Sequence, residues 1–181
     1  MVHMPLRFQF DERKGREALA YIASRWPNVT VFYASKALFF AEKAHLNRYG
    51  RPIVADTFVA MPNGPVPSTL YDFLKSEFGL AGDPDAFRGA ISTDNYPTIA
   101  SRREPEEGVL SQSDLECLDE AIAFCRVRGF SHLSQLTHQE KAWAEASNNG
   151  PMDYEDFIEE NNPNREAILN DAREFAAYGV L

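Results

Sequence analysis

The segment from Thr30 to about Arg48 constrains the fold of this chain most strongly, because it is predicted to be a helix that is apolar almost all round. Such a helix must be covered on most of its sides, so the sequence predicts that it lies at the centre of the core. Thr30 is expected to cap its first turn and Gly50 to end it. Its polar residues recur at spacings of seven and four and therefore share one narrow edge: Lys36, Lys43 and Asn47.

The segment that follows, from Gly50 to Leu74, combines a short strand pattern with a turn and a helix start. Alternating apolar residues over 51–62 predict two short strands or one bent strand. The sequence Asn63-Gly64-Pro65 predicts a turn, and the prolines around it predict a helix that starts near Ser68 and ends at Gly79. These prolines remove N–H donors from the helix start, so we interpret the segment as a rigid corner and not as an anion-binding site.

Helices account for most of the remaining sequence, with one further hairpin. This hairpin is predicted between residues 87–92 and 98–102, extending the small sheet. The other predicted helices cover 11–25, 113–128 with a capping box of Ser113 and Glu116, 131–136, a segment that begins at Thr137 or His138, and 163–178. We therefore predict a mainly α fold, a single-domain helical bundle over residues 1–181 around the buried central helix, with a small antiparallel β-sheet.

Charge and apolar content limit the classes of partner. The 181 residues include 27 acidic and 18 basic side chains, which gives a formal net charge of -9. Such a chain gains little from counterion release, so nucleic acid is not expected as its main ligand, and a basic protein partner is electrostatically easier. No apolar run suits a membrane span, and the first residues lack a signal-peptide layout. The two cysteines lie too far apart on one predicted helix to form a disulfide, which favours a reducing, cytoplasmic compartment: Cys117 and Cys125.

Three residues could form a hydrolytic site if the fold brought them together, because His45, Asp56 and His138 would supply a carboxylate–imidazole arrangement. Each also has a structural interpretation, which we favour. His45 reads as a buried core residue, Asp56 as a turn former, and His138 as part of a capped helix start or of a partner-binding surface beside Trp143. The sequence contains no nucleophile elbow, phosphate-binding loop or metal-ligand spacing, so we expect no enzyme activity, no cofactor and no metal.

Several short motifs occur in an order that resembles one known family. The motifs are Lys36-Ala37-Leu38-Phe39-Phe40-Ala41, Gly50-Arg51-Pro52-Ile53, Phe58-Val59-Ala60, Gly64-Pro65-Val66-Pro67, Leu70-Tyr71, Leu133-Ser134, Thr137-His138 and Ala142-Trp143. In this order and spacing they resemble the Panacea domain, a family that includes SocA-like antitoxins and phage-associated proteins. The resemblance extends over roughly residues 30–157, and the helices 11–25 and 163–178 are expected to pack on this part.

The resemblance implies a mostly helical fold with a small sheet and a non-enzymatic role. Proteins of this family look like antitoxins that neutralise a cognate protein toxin, encoded by an adjacent gene, by binding it directly. The SocA-like branch implies that the bound toxin is also presented to an ATP-dependent protease of the Clp type. A phage- or prophage-associated scaffold or regulator is the alternative. Six residues are predicted to contact the partner: Asp56, Asn63, Pro65, Tyr71, His138 and Trp143.

Overall fold

The computed structural model describes residues 4–79 and 82–179, so both ends of the predicted domain 1–181 and residues 80–81 lie outside the described residues. The described part is mainly α with a minor β content, as predicted. Its helices are α1 (Glu12–Arg25), α2 (Val31–Tyr49), α3 (Ser68–Leu74), α4 (Pro84–Ala90), α5 (Gln112–Arg126), α6 (Phe130–His138), α7 (Lys141–Ala144) and α8 (Arg165–Tyr178). Its strands are β1 (Phe58–Met61), β2 (Gly64–Pro67), β3 (Ile91–Ser92) and β4 (Ala100–Ser101), and a 3₁₀ turn covers Tyr154–Phe157. None of the described helices is both long enough and apolar enough to cross a membrane.

Helix α2 lies at the centre of the described fold, as the sequence predicted. It packs against α1, α5 and α8 and against strand β2. Phe39 of α2 joins an aromatic cluster in which its ring centroid lies 5.7 Å from that of Phe58 and 5.2 Å from that of Phe157. Each fully buried large side chain of this kind contributes about 1.5–3 kcal/mol to folding, so α2 organises the core. Gly50 ends the helix in the left-handed conformation with φ 71°, again as predicted.

Strands β1 and β2 form an antiparallel hairpin, with Met61 opposite Gly64 at its turn. The sequence predicted the turn at Asn63-Gly64-Pro65, but Gly64 and Pro65 belong to β2, so the turn consists of Pro62 and Asn63. On its other side β1 makes backbone hydrogen bonds with the segment 149–152, which leaves β2 as the outer strand. An outer strand tolerates prolines because a missing N–H there removes no bond to a neighbouring strand.

The region after the hairpin differs from the prediction. Helix α3 starts at Ser68 as predicted but ends at Leu74, before the predicted end at Gly79. The strand predicted over 87–92 is helical up to residue 90, because α4 covers 84–90: the Asp83 side chain caps this helix and Pro84 starts it. Within the predicted hairpin, Ile91–Ser92 (β3) pairs with Ala100–Ser101 (β4), and this pair forms a separate two-stranded sheet instead of extending the β1–β2 hairpin.

The later helices also begin and end at other residues than predicted. Thr137 and His138 close α6 and do not open the next helix, and the Thr137 hydroxyl donates back to the carbonyl of Ser134 in the same helix. Helix α8 begins at Arg165. The capping box of α5 lies two residues before the predicted pair Ser113 and Glu116, and is formed by two other residues: Ser111 and Asp114.

One buried carboxylate organises the irregular stretch between α2 and β1. Glu42 on α2 is fully buried, and its carboxylate accepts hydrogen bonds from the N–H groups of Ile53 (2.8 Å), Val54 (2.6 Å) and Ala55 (3.2 Å). Ala55 has a φ of 61°, a left-handed conformation that is strained for a residue with a side chain, so the three bonds hold a turn that would otherwise relax. Burial of Glu42 raises the pKa of its carboxyl to about 7.

We expect Glu42→Ala to lower the free energy of unfolding by about 3 kcal/mol or more, since three buried N–H groups would lose their acceptor at once. Urea unfolding followed by circular dichroism measures this loss. Glu174→Ala, on the exposed face of α8, is the matched control and should change stability little. Equal stability of the two variants would contradict the role given to Glu42.

Candidate functional site

The β1–β2 hairpin is held on one side by residues that lie more than seventy positions later in the chain. The indole Nε1 of Trp143 donates to the carbonyl of Met61 at 3.0 Å, and His138 Nε2 donates to the carbonyl of Pro62 at 2.8 Å. The two rings stack with a centroid distance of 3.9 Å. Thr137 is buried against Gly64. The two motifs singled out in the sequence, around Gly64 and around Trp143, therefore form one structural unit.

Lys36 of α2 also holds this hairpin. Its Nζ donates to the carbonyl of Pro65 at 2.9 Å and lies 4.6 Å from the ring centroid of Phe32. Only 1% of Lys36 is exposed, whereas the sequence placed it on the polar edge of α2. Among the described residues no carboxylate forms an ion pair with it. Burial without a negative partner lowers the pKa of Lys36 to about 7.

An open pocket with a volume of about 440 Å³ lies against the hairpin. We call it the hairpin pocket. It is lined by residues of α2, of the hairpin, of α3, of the stretch before β4 and of the start of α6. Four of the lining residues are aromatic: Phe32, Tyr71, Tyr96 and Phe130. The Phe130 ring packs on Phe32 with a centroid distance of 4.3 Å. Tyr96 and Phe130 are each 47% exposed, which makes them the most accessible part of the lining aromatic surface.

Two of the six residues predicted to contact a partner, Asn63 and Tyr71, line this pocket. Two more, His138 and Trp143, lie against the hairpin turn. Asn63 is exposed, and the other three are half-buried. Their contact with a partner stays a prediction. The Phe130 and Tyr96 side chains were not among the predicted residues, because their position beside the hairpin depends on long-range packing.

The other two predicted residues are buried. Asp56 is fully buried, and its carboxylate accepts from the N–H groups of Thr69 (3.1 Å) and Leu70 (2.9 Å), so that it caps the start of α3. Burial raises the pKa of Asp56. Pro65 is also buried, and its carbonyl is the acceptor for Lys36. Both residues act within the fold.

His45 is fully buried on α2, as expected of a core residue. Its Nδ1 lies 2.8 Å from the carbonyl of Arg51 and must donate to it, so Nε2 of the neutral ring accepts from the Ser113 hydroxyl at 2.9 Å. Burial lowers the pKa of His45, which favours this neutral form. No hydrogen bond or ion pair joins any two members of the hydrolytic triad considered from the sequence: His45, Asp56 and His138. In the described parts of the chain no three His, Cys, Asp or Glu side chains are placed to hold a metal ion.

Replacing Lys36 with methionine should stabilise the protein, most strongly at low pH. The wild-type amine has a folded pKa of about 7 against an ordinary value of 10.5, so the unfolded chain binds more protons between these values. Wild-type stability therefore falls as the pH drops from about 10.5 to 7, and the variant lacks this loss. We expect Lys36→Met to be more stable by roughly 2–4 kcal/mol at pH 6, with the difference shrinking towards pH 10. Urea unfolding over this pH range measures it, and a pH-independent difference would contradict the burial of an unpaired amine.

Gly64→Ala should destabilise the protein by about 3 kcal/mol or more. Gly64 has a φ of 103°, and an added Cβ would lie 2.2 Å from Thr137 Oγ1 and 2.9 Å from Lys36 Cε. The substitution therefore combines backbone strain with a steric clash inside a packed unit. Gly89→Ala in α4, where an added Cβ meets nothing within 4 Å, is the control and should be neutral or stabilising by up to about 1 kcal/mol. Thermal unfolding of both variants tests this, and similar midpoints would disprove close packing at Gly64.

Comparison with known families places these features in one region of the chain. The family model described as "Antitoxin SocA-like, Panacea domain" matches residues 35–144, which is more than half of the chain. The matched region includes Lys36, the complete hairpin, Thr137, His138 and Trp143. Neither the curated proteins nor the solved structures contain a significant match. The chain therefore belongs to the family of SocA-like antitoxins that is defined by the Panacea domain.

Proposed function

We propose that this protein is the antitoxin of a toxin–antitoxin pair and that it neutralises its toxin by binding it directly. Membership of the SocA-like antitoxin family supports an antitoxin-type role and a protein partner. The net charge of -9 favours a toxin with a basic surface, because complementary charge speeds association and selects between partners. The toxin is expected to be the product of an adjacent gene.

We place the toxin contact at the hairpin pocket. One observation carries this choice: two half-exposed aromatic side chains, Tyr96 and Phe130, line a pocket against a hairpin whose carbonyls are held by hydrogen bonds from α2, α6 and α7. Exposed aromatic residues are enriched among the side chains that dominate binding energy in interfaces. A fixed backbone loses little conformational entropy on binding, so the same contacts yield higher affinity.

A binding role is favoured over catalysis because the candidate hydrolytic residues already have separate partners inside the fold. His45 binds Arg51 and Ser113, Asp56 caps α3, and His138 binds the hairpin turn. Presentation of the toxin to a Clp-type protease would be a second step. It requires that the toxin disappears faster in cells when this chain is present, while the chain itself persists.

We expect Tyr96→Ala and Phe130→Ala together to weaken toxin binding at least about tenfold, since each truncates an aromatic side chain at the proposed centre of the interface. Binding is measured by calorimetry with the toxin encoded next to this gene, and by rescue of growth on co-expression. Tyr178→Ala at the end of α8 removes an aromatic side chain that is 87% exposed but outside the pocket, so it is the control.

Unchanged affinity in the double variant would move the toxin contact away from the hairpin pocket without affecting the antitoxin role. Failure of the unaltered protein to bind or neutralise the product of any neighbouring gene would overturn the role itself. Binding to phage or host components instead would support the alternative of a phage-associated scaffold or regulator.

A further inference from the structure

Lys36 has bonding capacity that the described fold does not use. An ammonium group carries three N–H donors, and one of them is taken by the carbonyl of Pro65. The ring of Phe32 offers a cation–π contact at 4.6 Å, and no other acceptor bonds to Nζ among the described residues. Lys36 also lines the hairpin pocket, so a group that enters the pocket can approach it.

Retaining this lysine costs stability. A cation that is 99% buried without an opposite charge loses most of its hydration and gains only one hydrogen bond and a ring contact in return. The other buried charged groups of α2 and α5 are better compensated: Glu42 accepts three N–H bonds, and Asp114 pairs with Lys14 at 2.8 Å. An uncompensated charge at the edge of an apolar pocket points to a ligand that supplies the missing partner.

We propose that Lys36 and the hairpin pocket bind a carboxylate that lies next to an aromatic or aliphatic group on the protein toxin. This inference rests on the proposed function and specifies the chemistry of the contact. The carboxylate pairs with Lys36 Nζ, and the neighbouring apolar group packs between Tyr96 and Phe130.

The pocket suits a single carboxylate better than a phosphate group. A phosphate carries more charge and needs several donors, whereas two of the lining residues, Pro62 and Pro97, have no N–H to donate. The remaining lining is mostly apolar and aromatic, which favours an uncharged group beside the carboxylate. A carboxylate beside Lys36 favours the protonated amine, so an acidic group can pair with it on a chain that is otherwise negative.

The probe is N-acetyl-phenylalanine, which carries a carboxylate beside an aromatic ring, and its neutral match is N-acetyl-phenylalanine amide. Titration of the ¹⁵N-labelled protein, followed by NMR, should shift the amides of Gly64 and Val66 and those at the start of α2. The amide compound should bind about tenfold more weakly, as expected for the loss of one charge-assisted hydrogen bond. Lys36→Met should remove this difference. Lys43→Met, on the same helix but paired with Glu140 and Glu159, should preserve it.

A second measurement needs no variant. In protein with ¹³C-labelled lysine, N-acetyl-phenylalanine should shift the Lys36 Cε resonance and leave that of Lys43 in place. Equal binding of the acid and the amide, or no response of Lys36, would overturn the proposal.

The toxin itself separates this inference from the antitoxin role. Toxin that binds the unaltered protein and Lys36→Met equally well would refute the carboxylate contact while the antitoxin role stands. Toxin that binds neither would refute the role, and the probe experiment would still decide whether the pocket takes carboxylates. A toxin with an amidated C-terminus shows which carboxylate binds. Its affinity falls if the contact is made by the terminal carboxylate and is unchanged if the contact is made by an Asp or Glu side chain.

Discussion

Buried polar side chains of α2 set the path of the chain that returns beside this helix, because they bind its backbone. His45 binds the carbonyl of Arg51, Glu42 binds three N–H groups over 53–55, and Lys36 binds the carbonyl of Pro65. The further the returning chain has advanced towards β2, the nearer to the start of α2 is the side chain that binds it. A helix that is covered all round can therefore hold a stretch with little regular structure, because its own side chains supply the missing hydrogen-bond partners.

The sequence was sufficient to predict the features of the fold that depend on local residue patterns. The apolar residues of α2 predicted its central position, and Gly50 marked its end. The sequence did not predict the position of polar residues whose hydrogen-bond partners are distant in the chain. Lys36 looked like part of a polar edge, although its neighbours one turn away, Phe32 and Phe40, were a signal that this edge is enclosed by aromatic rings.

The candidate site was predicted in outline only. The motif around Thr137 and Trp143 was assigned to a helix start, whereas its side chains reach back to the hairpin turn. The two hydrogen bonds join residues that are separated by 76 and by 82 positions in the sequence, and no local propensity encodes such contacts. The exposed aromatics Tyr96 and Phe130 could not be assigned for the same reason, because only the folded chain brings them to the same pocket.

The bonds that fix the hairpin end on backbone carbonyls: those of Met61, Pro62 and Pro65. A carbonyl is present at every position whatever the side chain is, so the attachment does not depend on which residues occupy the hairpin turn. The exposed side chain at Asn63 can be exchanged without loosening the support beneath it. An edge built in this way can change its exposed side chains while the scaffold stays the same.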